Sequence, residues 1–238
     1  MIEVVGLSKS YGAVAAVDRL SFAVAPGEIL GLVGPNGAGK TTTLRSLCGI
    51  ISPTAGTIRI AGHDIQSDGP KAKAKLAFIP DEPQLFDYLT VEDHLQFVGR
   101  LYGVADAASR APALLEELEL SEKARVFPGE LSRGMKQKLA IACGLLHRPE
   151  ALILDEPLTG LDPSGIKKMR DTIAARGRAG TAVILSSHLL HLVEELCTRL
   201  LVIHRGRCVA IGTQDGIMAE RPELMGKSLE EIFLALTS

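Results

Sequence analysis

No apolar stretch in this 238-residue sequence approaches the roughly 20 residues needed to cross a bilayer. The first dozen residues lack a charged segment followed by an apolar one, so the start does not read as a secretory signal. Low-complexity tracts and long charge runs are missing, which leaves little to read as disordered. A charge excess is missing as well: the formal net charge is -2, which offers no basic field for a nucleic-acid partner. The four cysteines, Cys48, Cys143, Cys197 and Cys208, show no CxxC spacing and read as reduced, mostly buried thiols. His188 and His191 form an HxxH pair, but no third ligand stands at a metal-binding spacing. What remains is 46% hydrophobic and 23% charged, the balance of an ordinary soluble protein, and a cytoplasmic location is expected.

Local patterns give an order of elements. Short apolar runs at residues 2–7, 20–24 and 28–33 predict strands, the last two separated by Pro26-Gly27. A helix is expected from the end of a glycine-rich loop through Cys48, and residues 57–60 read as a further strand. The periodicity then becomes helical over 91–102, 113–120 and 135–146. Beyond that, strands at 151–154 and 182–185 alternate with helices at 164–176 and 189–196. Runs at 200–203 and 208–211 flank His204-Arg205-Gly206-Arg207 as a hairpin. Alternation with near-continuous apolar strands implies an α/β fold whose mostly parallel sheet is covered on both faces. The helical stretch, approximately 86–146, reads as an insertion into that sheet, so residues 1–238 form a single domain.

Two motifs carry chemistry. Gly34-Pro35-Asn36-Gly37-Ala38-Gly39-Lys40-Thr41-Thr42 matches GxxxxGK[ST] between a strand and a helix, which marks a P-loop NTPase. Its glycines let backbone N–H groups curl around phosphate oxygens, and the helix start adds the positive end of its dipole. Lys40 suits the β- and γ-phosphates, and the Thr41 hydroxyl suits Mg²⁺. The second motif is an apolar strand ending in Asp155-Glu156. Adjacent side chains at a strand end point apart, so the two acids can take different tasks. Asp155 fits water-bridged Mg²⁺ coordination, and Glu156 fits the general base for a water aligned on the γ-phosphate. ATP and Mg²⁺ are therefore the expected ligands.

With these in place, the remaining pieces resemble the ABC ATPases. Leu131-Ser132-Arg133-Gly134-Met135 is similar to the family signature usually written LSGGQ, and Thr159-Gly160-Leu161-Asp162 to its D-loop. Ser186-Ser187-His188 resembles the strand end that carries the switch histidine, and Tyr11 stands where the family places an aromatic stacked on adenine. The resemblance spans essentially the whole chain. It implies a core sheet with an N-terminal antiparallel β subdomain and an inserted helical subdomain. It also implies a γ-phosphate contact from His188, and contacts from Ser132 and Gly134 to ATP held by a second subunit. Ser132 and Asp162 are at the same time ordinary helix-cap residue types.

The sequence departs from the family pattern in three places. Arg133 and Met135 replace the usual glycine and glutamine of the signature, and Asp81 stands at the Q-loop position where glutamine is usual. Gln84 is out of register for that role. Asp81 is expected to stay outside the first metal shell and to serve mainly in coupling to a membrane partner, through the loop that faces it. Residues 80–83 and 88–91, the run 134–137 and the tail 228–233 look like ATP-binding subunits of two-component bacterial exporters. That resemblance implies a separate transmembrane permease, a homodimer or heterodimer of ATPase subunits, and a peripheral position on the inner face of the cell membrane. The alternative is a soluble ABC ATPase without a transport role, such as the Fe–S assembly type.

Overall fold

The computed structural model describes residues 1–237. The chain begins with β1 (Ile2–Tyr11), β2 (Val14–Val24), β3 (Ile29–Val33), α1 (Lys40–Leu47), β4 (Ala55–Ile60), β5 (His63–Asp64), α2 (Gly69–Ala74) and β6 (Leu76–Ile79). The helices α3 (Val91–Leu101), α4 (Ala107–Glu117) and α5 (Arg133–Leu146) follow. After them come β7 (Ala151–Asp155), α6 (Pro163–Arg178), β8 (Ala182–Ser186), α7 (Leu190–Leu196), β9 (Arg199–His204) and β10 (Arg207–Gly212). The helices α8 (Gln214–Glu220) and α9 (Leu229–Thr237) end the described chain.

The strands form two sheets. One, ordered β2-β1-β4-β5, is antiparallel, and β2 alternates buried with exposed residues over most of its length because one face meets water. The other is ordered β10-β9-β3-β8-β7-β6 and is parallel except for the edge strand β10. Every residue of β3, β7 and β8 is buried, as strands covered on both faces require. On one side, Leu30, Leu32, Ile153 and Ile184 pack with Ile2, Val4 and Val24 of the antiparallel sheet and with Leu44 and Leu47 of α1. On the other, Leu152, Leu154, Val183 and Leu185 pack with Leu95 of α3, Leu139 of α5 and Met169 of α6. Strand periodicity thus divides one sheet between two cores.

Several elements differ from what local patterns suggest. α4 starts at Ala107 and carries Pro112 inside it, whereas a proline suggests a helix start. The same helix stops at Glu117. Glu119 adopts a left-handed backbone (φ 59°), and the turn buries both Leu118 and Leu120. α8 and α9 escape the periodicity reading; Ile217, Leu229 and Ile232 cover Val33, Leu200 and Val202 as a third core. The cysteines are less uniformly buried than expected. Burial pushes the thiols of Cys143 and Cys197 up to about 12, but Cys208 is exposed.

The arrangement of the sheet decides where chemistry can happen. In the parallel sheet Leu32 of β3 and Asp155 of β7 both lie beside Ser186 of β8, and Ile79 of β6 lies beside Leu154. The loops after β3, β6, β7 and β8 therefore leave from one edge, the edge where open α/β sheets place ligands.

Candidate active site

A cleft of about 920 Å³ opens on that edge. It is lined by Pro35, Asn36, Gly37, Ala38, Gly39, Lys40, Thr41 and Thr42 from the loop between β3 and α1. Asp81, two residues beyond β6, and Asp155, Glu156 and His188 add ionisable side chains to that lining. The loop is shaped by its neighbours. Gly39 has φ 104°, and a Cβ there would stand 2.4 Å from the carbonyl oxygen of Ala16, so only glycine fits. Gly39 is also the N-cap of α1 and offers no side-chain hydrogen bond, and no acid lies in the first helical turn. The N–H groups of that turn thus suit a bound anion.

Lys40 reaches back over the loop and donates to the carbonyls of Gly34 at 2.6 Å and Pro35 at 3.3 Å. Gly34 itself is not part of the cleft lining; its contribution is that carbonyl. Partial burial lowers the pKa of the Lys40 ammonium, and the nearby Glu156 and Asp155 oppose that shift. The cation is thus placed in a partly dehydrated pocket where its field acts strongly on phosphate.

The two acids are held by β8. Asp155 is buried, and the Ser186 hydroxyl donates to its Oδ1 at 2.5 Å. Glu156 has a left-handed backbone (φ 52°), a conformation costing about 1–3 kcal/mol in a non-glycine residue. Its N–H donates to the Ser186 carbonyl at 3.1 Å, which pins that conformation. Its Oε2 accepts from the backbone N–H of His188 at 3.2 Å and from the ring Nδ1 at 2.7 Å. With Nδ1 donating, the neutral ring presents an acceptor at Nε2, and the imidazolium presents a donor there. Both contacts from His188 to Glu156 are made through Oε2.

The residues present fit a phosphate-borne Mg²⁺. Among the described residues no cluster of three or more His, Cys, Asp or Glu can hold a metal alone. Mg²⁺ commonly needs only one or two protein oxygens beside substrate phosphates and waters, and Thr41 and Asp155 both line the cleft.

Other expected site residues lie outside the cleft. Tyr11 is exposed at the end of β1, with the Lys9 ammonium 5.1 Å from its ring centre. Ser132 caps α5 by accepting from the Met135 N–H at 3.3 Å. Asp162 caps α6 by accepting from the Gly165 N–H at 3.1 Å. Gly134 faces Gly160 and Leu161, where a Cβ would come within 3.2 Å of the Gly160 carbonyl. His191 is exposed on α7, and Gln84 lines the cleft rim. Two contacts were not anticipated from the motifs. One is the Ser186 hydroxyl on Asp155. The other is an ion pair of 2.8 Å between Arg133 and Asp81, whose signal was the opposite charge of two unusual residues.

Comparison with known proteins agrees with this geometry. The profile of the family described as ABC transporter matches residues 17–159. The Nod factor export ATP-binding protein I of Paraburkholderia xenovorans is 43% identical over 98% of this chain and 76% of its own length. The ABC-type transporter ATP-binding protein EcsA of Bacillus subtilis is 32% identical over 100% of this chain and 96% of its own. A solved ATP-binding subunit of an ABC transporter superposes with a TM-score of 0.95 at 36% identity, covering 100% of both chains. A cleft lined by the Lys40 loop, Asp155, Glu156 and His188 on a sheet of this order, in a chain matched over nearly its whole length by such relatives, leads to one assignment: the chain belongs to the ABC transporter family, as an ATP-binding subunit.

Proposed function

We propose that two ATPase subunits, in a homodimer or a heterodimer, hydrolyse Mg-ATP at shared sites and drive a separate transmembrane permease, in the direction of export. The observation that carries this reading is the convergence of the Lys40 loop, Asp155, Glu156 and His188 on one cleft, while Ser132 and Gly134 stand outside it. Backbone N–H groups of the segment from Asn36 to Thr42 hold the phosphates, and Lys40 supplies full charge to them. Thr41 and Asp155 are the residues that would hold a Mg²⁺ ion brought with ATP, and that ion would supply charge neutralisation to the phosphates. Glu156 accepts the proton of the attacking water, and His188 orients that carboxylate and meets the γ-phosphate. Ser132 and the Gly134 N–H act on the second subunit's γ-phosphate, since the start of α5 is another exposed helix N-terminus. Asp162 shapes the loop between the two sites, and Tyr11 stacks on adenine.

Mixed dimers test the shared site. Lys40→Ala on one chain and Ser132→Ala on the other place both defects in one composite site and leave the second intact. Activity is expected to survive in part there, and to be lower when both substitutions sit on one chain. Equal activities in the two arrangements count against action across the interface.

Export is suggested by the relative named for Nod factor export. No helix among the described residues is long and apolar enough to cross a membrane, so the crossing is assigned to a separate chain. The peripheral position on the cytoplasmic face follows from that partner, and the net charge of -2 supports no role for nucleic acid. The docking face we assign is the aromatic patch beside the Asp81 segment. Tyr88 is 93% exposed, and Phe86 meets Phe97 edge-on at 5.3 Å. The buried His94 fixes this loop, accepting the Phe86 N–H at Nε2 (3.0 Å) and donating from Nδ1 to the Thr90 carbonyl (2.7 Å). Tyr88→Asp should leave basal ATPase within about twofold and weaken capture of the permease by about tenfold or more, as loss of an interface aromatic does. Unchanged co-purification would move the docking face elsewhere.

A further inference from the structure

Two of the three departures from the family pattern meet each other. Arg133 Nη2 donates to Asp81 Oδ1 at 2.8 Å. Asp81 lies two residues beyond β6 and lines the nucleotide cleft, whereas Arg133 is the first residue of α5, directly after the Ser132 cap. The arginine stem also crosses the segment before α6. A Cβ on Gly160 would stand 3.0 Å from Arg133 Cδ and 3.3 Å from its Nε, and Gly160 has φ 79°. Glycine there satisfies both the backbone and the overlying side chain. One side chain thus touches the cleft wall, the start of the signature helix and the D-loop segment.

Electrostatics explains the pairing. A cation in the first turn of a helix opposes the macrodipole, and α5 has no acid of its own in that turn. Asp81 supplies the missing anion from another part of the fold. Both side chains are about half exposed, so the pair adds little to global stability. Its consequence is positional, because it joins segments that serve different nucleotides.

We propose that Arg133 is a positioning residue that couples the two ATP sites of the dimer. The inference rests on the shared-site reading above. Asp81 borders the ATP of its own chain, and the Arg133-bearing signature faces the ATP of the other. The ion pair therefore relays any displacement of the Asp81 wall in one site to the Ser132–Gly134 donors of the opposite site. The D-loop segment moves with it through Gly160.

ATP titrations of the full-length chain decide this. The variants are Arg133→Ala, Asp81→Asn, both together, and the reversed pair Asp81→Arg with Arg133→Asp. Either single change is expected to lower turnover about three- to fivefold, the scale of an exposed ion pair, and to bring the Hill coefficient towards one. The double variant should lose no more than the worse single one, and the reversed pair should recover more than half of both quantities. Additive losses, no recovery in the reversed pair, or a Hill coefficient that does not change when the pair is broken would overturn the proposal. Failure of the shared-site reading looks different: dimers carrying Lys40→Ala and Ser132→Ala on separate chains or on one chain would then have equal activity. Unequal activities in those dimers, together with additive losses at Asp81 and Arg133, reject the coupling alone.

Discussion

Glu156→Gln is expected to lower ATP turnover by about 10²–10⁴-fold, or roughly 3–5 kcal/mol of barrier, while ATP affinity is retained. The amide is nearly isosteric, and its oxygen can still accept from the His188 N–H and Nδ1, the two contacts that now hold Oε2. What disappears is basicity, because an amide does not take a proton from water near neutral pH. Removing the carboxylate charge also relieves repulsion with the γ-phosphate, so bound ATP should persist. With hydrolysis stalled, the closed dimer should accumulate. Gel filtration or light scattering is expected to show a dimer with ATP and a monomer with ADP. A variant that stays monomeric at saturating ATP would favour a heteromeric partner over a self-sufficient homodimer. Turnover within tenfold of the native chain would remove Glu156 from the role of base.

Lys40→Ala should depress both nucleotide affinity and turnover, the latter by about 10²-fold or more, the scale of losing a preorganised charge at the reacting group. Two effects add. The ammonium contact to the phosphates is lost, and so are the donations to Gly34 and Pro35 that close the loop over itself. A KM rise with unchanged kcat would mean that Lys40 only binds; a fall in both kcat and kcat/KM is expected here. Thermal melting should separate this from unfolding, since Lys40 is only partly buried and belongs to none of the three core clusters. A purified variant retaining half of the native ATPase rate would make the assignment of this site wrong.

Local chemistry made much of the architecture readable. Runs such as residues 151–154 and 182–185 are apolar throughout because both faces are covered, and such runs have few other uses. The Gly34–Thr42 loop is readable because glycine spacing, a lysine and a helix start must be contiguous to wrap phosphate. Elements with a compromise in their sequence were harder. α4 carries a proline in its interior, and α8 is a seven-residue helix in which Ile217 is the one buried residue. α8 is positioned by packing on β9 and its neighbours, a tertiary effect that overrides weak local preference, whereas α9 carries an apolar stripe of its own, Leu229, Ile232, Phe233 and Leu236, into the same core.

The sequence by itself determined the chemistry available: a phosphate loop, two acids at a strand end, a histidine at the next one, and a family resemblance linking them. Only the tertiary structure decided which groups touch. The parallel register sets Ser186 beside Asp155, and His188 beside Glu156 follows from the same strand ends. It also left Ser132, Gly134, Asp162 and Tyr11 outside the cleft lining of their own chain. The pairing of Asp81 with Arg133 belongs to this second kind, for the two are separated by the whole of α3 and α4. Spacing along a chain fixes contacts within a turn, a strand or a helix face. Contacts between ends of different elements depend on how strands are ordered and helices packed, which no single segment encodes.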